Sequence, residues 1–221
     1  MNSKTIHIIW LGPKPVFDKY LPSIRKYCPK GFTIKIWRDD EVVPLCQDCE
    51  YFQRHYEKRN WAFCSDYARF KILSLYGGIY IDTDIQFLKP IDDLIEKGSF
   101  CANEKSTHRI NTGLIVYFDQ PHHPVAERIM NFYREEGHNW SYLADGEVLS
   151  NALKKYGYEW GDNEQHLTNG MTVYQVGTFD GDKDNPEPHA RAIHWYTRFW
   201  ATGENLQFAK MNEDGEKPVI D

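Results

Sequence analysis

The chain has 221 residues, 41% hydrophobic and 15% aromatic, with 26 basic against 32 acidic side chains for a net charge of −6. That length can bury a large core without a second domain. The acidic balance gives no basic field of the kind a nucleic-acid binder needs, so no nucleic-acid partner is expected.

In chain order, apolar periodicity predicts a strand at Thr5–Leu11, a helix at Phe17–Tyr27 and a strand at Phe32–Trp37. Helices at Cys49–Lys58 and Trp61–Tyr76 come next, the second stopped by Gly77-Gly78. Strands at Gly78–Asp82, Ser99–Asn103 and Asn111–Tyr117 and helices at Pro124–Glu136 and Gly146–Tyr156 complete an α/β pattern. Thr178–His189, rich in Asp, Gly and Pro, reads as a long polar loop of the kind that forms lids. Its Asp180-x-Asp182-x-Asp184 imitates a calcium loop, but Asn185 stands at the turn glycine and Arg191 at the bidentate Glu, so calcium is not expected. Residues 1–211 read as one domain and 212–221 as a polar tail that frays.

The five cysteines, Cys28, Cys46, Cys49, Cys64 and Cys101, are odd in number and irregularly spaced, which argues for reduced thiols. No run of about 18 apolar residues is present, and the start is too short for a signal core, so a soluble cytoplasmic protein is expected. Neither a Gly-x-x-x-x-Gly-Lys loop nor Gly-x-Gly-x-x-Gly follows a strand, so any diphosphate would have to be held through a metal.

The segment Ser65–Asp92 runs as a helix, a glycine turn and a strand ending in paired aspartates. Strand residues two apart point to one face, so Asp82 and Asp84 can approach one divalent ion. Mg2+ or Mn2+ is commonly held by one or two carboxylates plus substrate phosphates. The bare Asp-Thr-Asp triplet also fits an acidic turn. Asp66 and Arg69 share a helical face, either as an ion pair worth a few tenths of a kcal/mol or as a grip on ligand hydroxyls. His194, in a short buried strand, fits a satisfied core histidine as well as a metal ligand.

Ser65, Asp66, Arg69, Phe70, Leu73, Gly77, Gly78, Tyr80, Asp82 and Asp84 match the pattern SD-x-x-R-(F/Y)-x-x-L-x-x-x-G-G-x-Y-x-D-x-D. In these residues the chain resembles the glycosyltransferases with a DXD sugar-binding region, glycosyltransferase family 32, akin to yeast mannosyltransferases and clostridial glucosylating toxins. The resemblance extends to Ile6–Gly12 and Ile34–Asp39 and thins after Asp92, to Asn111-Thr112-Gly113 and to Ala192–Trp195 followed by Trp200. Asp145-Gly146-Glu147 departs from it, standing where many members carry Thr-Gly-Pro.

The resemblance implies a single GT-A-like, Rossmann-like α/β domain that binds a nucleotide sugar, and a retaining, Mn2+- or Mg2+-dependent glycosyltransferase. Asp82, Asp84 and Arg69 would be catalytic, with Asp84 on the metal and Asp82 on the metal or the donor ribose. Asp66 and Arg69 would bind donor sugar hydroxyls, Arg69 reaching a phosphate, with Tyr80 beside them. Trp10 would stack on the nucleotide base, although its apolar neighbours also fit a core tryptophan. Trp195 or Trp200 would cap the sugar or phosphate, and His194 would complete the metal sphere. The implied donor is a UDP-sugar and the implied acceptor a carbohydrate or lipid-linked saccharide. Bacterial capsule, exopolysaccharide or lipopolysaccharide assembly would be the setting, with the protein peripheral at the inner membrane. A toxin-like transferase acting on a protein, and a non-catalytic nucleotide- or carbohydrate-binding module, remain as alternatives.

Overall fold

Alternation along β1 (Thr5–Ile9) organises the protein. Ile6 and Ile8 enter one apolar cluster and Ile9 the other, because successive strand residues face opposite sides of a sheet. The structure is a computed structural model that describes residues 4–139 and 144–197. β1 pairs in parallel with β2 (Thr33–Trp37), Thr5 opposite Thr33 through Ile9 opposite Trp37, and with β3 (Gly78–Tyr80) on its other side. The sheet continues through β6 (Val116–Phe118), β5 (Phe100–Ala102), β8 (Thr172–Tyr174) and β7 (Gln165–His166), in the order β2-β1-β3-β6-β5-β8-β7. The β3/β6, β5/β6 and β7/β8 pairs are antiparallel, so the expected α/β sheet is present and is mixed.

On the Ile9 side lie α3 (Glu50–Glu57), α4 (Trp61–Tyr76), α6 (Pro124–Glu135) and α7 (Asp145–Lys154). On the Ile6 side lie α1 (Leu21–Lys26) and α5 (Asp92–Ile95), packed with Phe87, Phe100 and Phe179. Helix α4 has the predicted bounds and is surrounded, with Phe63, Tyr67, Phe70, Ile72 and Leu73 all buried. Each such side chain contributes about 2 kcal/mol. Gly77 ends the helix at φ +63°, where an added Cβ would lie 2.9 Å from the Gln120 carbonyl carbon. Both the left-handed backbone and the close approach require glycine.

Several sequence expectations are corrected. Pairing with β1 stops at His7 opposite Tyr80, so Asp82 and Asp84 lie not on a strand but on a turn before β4 (Ile85–Phe87). Asn111–Leu114 likewise forms a turn, and the strand there begins only at Val116. The first helix starts at Leu21 rather than Phe17, with Pro22 in its first turn. A further helix, α2 (Asp39–Leu45), holds Pro44 inside it, and Asp39, Asp40 and Glu41 favour its N-terminus.

The loop beginning at Thr178 is not polar throughout. Thr178, Phe179 and Asp180 are buried, and Asp180 accepts the amides of Lys105 (2.6 Å) and Gly177 (2.6 Å). The buried strand read at 192–195 is β9 (Ala192–His194), paired antiparallel to β4 with Ile85 opposite His194. Trp200 and the tail 212–221 lie outside the described residues. Among the described residues no helix is long and apolar enough to cross a membrane.

Candidate active site

A cleft of about 490 Å³ opens beyond the carboxyl ends of β1 and β3, where ligands of open α/β sheets lie. Its lining comes from Trp10–Lys14 after β1, the start of α4, the Asp82–Asp84 turn, Asn111, Asp145 and the chain after β9.

The β4/β9 pairing decides the chemistry of the cleft, because it sets the residue before β4 beside the last residue of β9. Nε2 of His194 lies 3.0 Å from Oδ1 of Asp84, with both side chains buried. Oδ2 of Asp84 accepts the amide (2.8 Å) and hydroxyl (2.9 Å) of Thr197. Burial would raise the Asp84 pKa, but the His194 bond and charge and the Thr197 donors outweigh it and hold the carboxyl below its usual range. His194 also sits in a burial that lowers its pKa, and the Asp84 carboxylate overrides it and raises it. Each group thus favours the charged form of the other when no ion is bound, and the imidazole would be neutral when it ligates one.

Asp82 accepts the Tyr80 hydroxyl at 2.8 Å and remains one-third exposed, its side chain at 34%. Gly113 faces it: an added Cβ would lie 2.4 Å from Oδ2 of Asp82. One ligand atom from each of Asp82, Asp84 and His194 lies within 4.8 Å of the others. Two carboxylates and an imidazole in a cleft are a donor set that can hold a divalent metal ion. Nδ1 of His194 is buried without a hydrogen-bond partner among the described residues, while Nε2 faces Asp84.

Arg69 lines the cleft and is also bound by its protein neighbours. A guanidinium has five N–H donors. Nε donates to the Ser65 carbonyl (3.1 Å), Nη1 to Thr112 Oγ1 (2.7 Å), and Nη2 to Ser65 Oγ (3.1 Å) and Asp66 Oδ1 (3.0 Å), while Asp145 Oδ2 lies 2.6 Å from Nη1 as an ion pair. Four hydrogen bonds and the Asp145 ion pair thus hold the guanidinium among protein partners. The surface ion-pair reading also fails, since Arg69 is 4% exposed and Asp66 8%. Arg69 lies 3.9 Å from Asp82 and 4.6 Å from the Tyr80 ring centre, and so ties the turn to α4. Burial and the Asp145 carboxylate push the Asp66 pKa well up despite Arg69, while burial raises that of Asp145.

Of the other residues named from sequence, Trp10 and Tyr80 line the cleft, and the Trp10 indole donates to the Lys14 carbonyl at 2.9 Å. Trp195 is not brought into the lining. It stacks on Tyr20 with ring centres 5.4 Å apart and donates to Gln86 Oε1 at 2.9 Å. Tyr196 takes the cleft position instead, its hydroxyl bonded to Glu104 Oε2 at 3.1 Å. Glu104 also holds the Asn111 amide at 2.6 Å. Asp145, Tyr196, Thr197, Lys14 and Arg59 are cleft residues that sequence reasoning did not single out. Asp145 alone left a signal there, as the departure from Thr-Gly-Pro.

Residues 15–101 match the model of the family described as "Glycosyltransferase sugar-binding region containing DXD motif". The chain is 23% identical over 221 residues to an uncharacterized glycosyltransferase of Acanthamoeba polyphaga mimivirus, covering 96% of this chain and 88% of that protein. It is 24% identical over 143 residues to inositol phosphoceramide mannosyltransferase 1 of Schizosaccharomyces pombe, covering 62% of this chain and 44% of that protein. Among solved structures, the PaToxG glycosyltransferase overlaps with a TM-score of 0.49 at 19% identity, over 70% of this chain and 69% of that one. The resemblance read from Ser65 to Asp84 is thereby borne out: the chain carries the DXD sugar-binding region of glycosyltransferases.

Proposed function

We propose that this chain, with its DXD sugar-binding region, is a GT-A-like, metal-dependent retaining glycosyltransferase that moves a sugar from a UDP-sugar to a carbohydrate acceptor. The convergence of Asp82, Asp84 and His194 in the cleft carries this reading. Those three residues would hold Mn2+ or Mg2+, which as a Lewis acid neutralises the charge that develops on a departing diphosphate.

The protein's own residues do the rest. Thr197 fixes Asp84 through two hydrogen bonds, so the carboxylate is oriented before any ligand arrives. Arg69 and Tyr80 position Asp82 from below, and Arg69 holds Asp66 and Asp145 in place at the cleft wall. Asp66 and Asp145 then face the space where sugar hydroxyls would be gripped. The Trp10 loop, folded by its bond to Lys14, offers an aromatic face for a nucleotide base. Nucleotide sugars made for bacterial capsule, exopolysaccharide or lipopolysaccharide assembly are the donors, and a lipid-linked saccharide at the inner membrane is the acceptor this reading favours.

The test is incubation with a panel of nucleotide sugars in Mn2+, following release of the nucleoside diphosphate. Release from one donor, lost in Asp84→Asn, supports the enzyme and identifies the sugar. No release from any donor, with nucleotide still bound, would favour a binding module instead.

A further inference from the structure

The phosphates of a nucleotide-sugar donor are favoured by cations near the metal site, and Arg69 is already engaged by Ser65, Thr112, Asp66 and Asp145. The charged lining of the cleft holds Asp66, Asp82, Asp84 and Asp145, which are met by Arg69 and His194. Lys14 and Arg59 are the remaining cations of the lining, both exposed and neither in an ion pair among the described residues. We infer that Lys14 and Arg59 bind the donor diphosphate, the task sequence resemblance assigned to Arg69. This rests on the cleft being a nucleotide-sugar site and names the side chains that hold the phosphates in it.

The backbone supports the assignment independently. Arg59 follows the C-cap of α3 with φ +59°. Its amide bonds to the Tyr56 carbonyl (3.0 Å) and the Asn60 amide to the His55 carbonyl (2.9 Å), the paired closure that ends many helices. Glycine is the ordinary occupant of that left-handed position, and any side chain with a Cβ strains the backbone there. The strain puts a guanidinium, a bidentate phosphate ligand, directly at the start of α4, where the cleft opens. Across the opening, Lys14 is held by the Trp10 indole, which donates to its carbonyl at 2.9 Å. A flexible ammonium on an ordered loop suits a phosphate as a point charge.

Arg59→Gly separates function from folding, because it relieves the strain while removing the cation. The experiment is calorimetric titration of inorganic pyrophosphate, with and without Mg2+, into the wild-type chain and into Arg59→Gly, Arg59→Lys and Lys14→Gln. Each charge-removing variant should weaken pyrophosphate binding about tenfold under both conditions, with a shallower salt dependence. Arg59→Gly should melt no lower than wild type, and Arg59→Lys should recover part of the affinity. Affinities within about twofold of wild type in both charge-removing variants, or a wild-type chain that takes no pyrophosphate, would overturn the inference. Asp84→Asn in the same titration keeps the outcomes apart. If Mg2+ adds nothing in wild type while Arg59→Gly and Lys14→Gln still weaken binding, the metal reading fails and this inference stands.

Discussion

Replacing Gly113 by alanine tests the geometry of the Asp82 carboxylate without touching a ligand. The new methyl would sit 2.4 Å from Oδ2 and 2.9 Å from Cγ of Asp82, and 3.1 Å from Oδ1 of Asn111. Ordinary contact begins at 3.4 Å, so the nearest oxygen must retreat by 3.4 − 2.4 = 1.0 Å. Asp82 has room to do so, because its side chain is 34% exposed. The change therefore acts on position more than on stability, and unfolding should shift by less than about 1 kcal/mol. A displacement of that size in a catalytic array costs on the order of a hundredfold in rate. The assay is donor turnover in saturating and limiting Mn2+, beside a urea denaturation curve. Loss of turnover with the denaturation midpoint held supports the geometry. Wild-type turnover in a folded Gly113→Ala protein would refute it.

Arg69→Lys retains charge but supplies three donors for the four hydrogen bonds that Arg69 makes beside its Asp145 ion pair, leaving buried carboxylates at Asp66 and Asp145 under-satisfied. Breaking a buried ion pair of this kind costs about 3 kcal/mol, so the urea midpoint should fall clearly, and an unchanged midpoint would remove Arg69 from its structural role. His7 accepts the Trp37 indole at Nδ1 (3.1 Å) and donates from Nε2 to the Gly77 carbonyl (3.0 Å), beside Lys35 and the Tyr76 ring. Burial lowers its pKa to about 4 from 6.5, although the Gly77 bond opposes this. The unfolded chain then binds the proton first, so this stabilisation is complete above pH 6.5 and is lost as pH falls toward 4. The loss amounts to roughly 3 kcal/mol over that window. Imidazole NMR should find His7 neutral, protonated at Nε2, at pH 5.5, and titration near the unperturbed value would contradict this.

The parts of the fold that sequence revealed were those set by local chemistry. Helix α4 was legible to the residue because its apolar spacing meets a glycine that only a left-handed turn with a close neighbour requires. β1 and β2 were legible because five residues of each pair in continuous register. The three-residue strands are blurred, since two or three ladder bonds leave little pattern, and from sequence the turn Asp82–Asp84 reads as a strand end. Asp82 and Asp84 were still found, because residue type survives an error in backbone assignment. What no local pattern carries is contact across the chain. Arg69 reaches Asp145 and Thr112 over separations of tens of residues, so its full set of bonds was invisible from the helix alone. Trp195 lies beside His194 in sequence, yet the side chains part: His194 turns to Asp84 and Trp195 to Tyr20.

The central claim is that Asp82, Asp84 and His194 form one divalent-metal site, and Mn2+ binding measured directly by electron paramagnetic resonance tests it without needing donor or acceptor. The wild-type chain should take up a single Mn2+ per molecule. Asp84→Asn and His194→Ala should each weaken that uptake by about ten- to a hundredfold while near-ultraviolet circular dichroism stays native. A wild-type chain that binds no Mn2+, or an Asp84→Asn chain that binds it as tightly as wild type, would contradict the account.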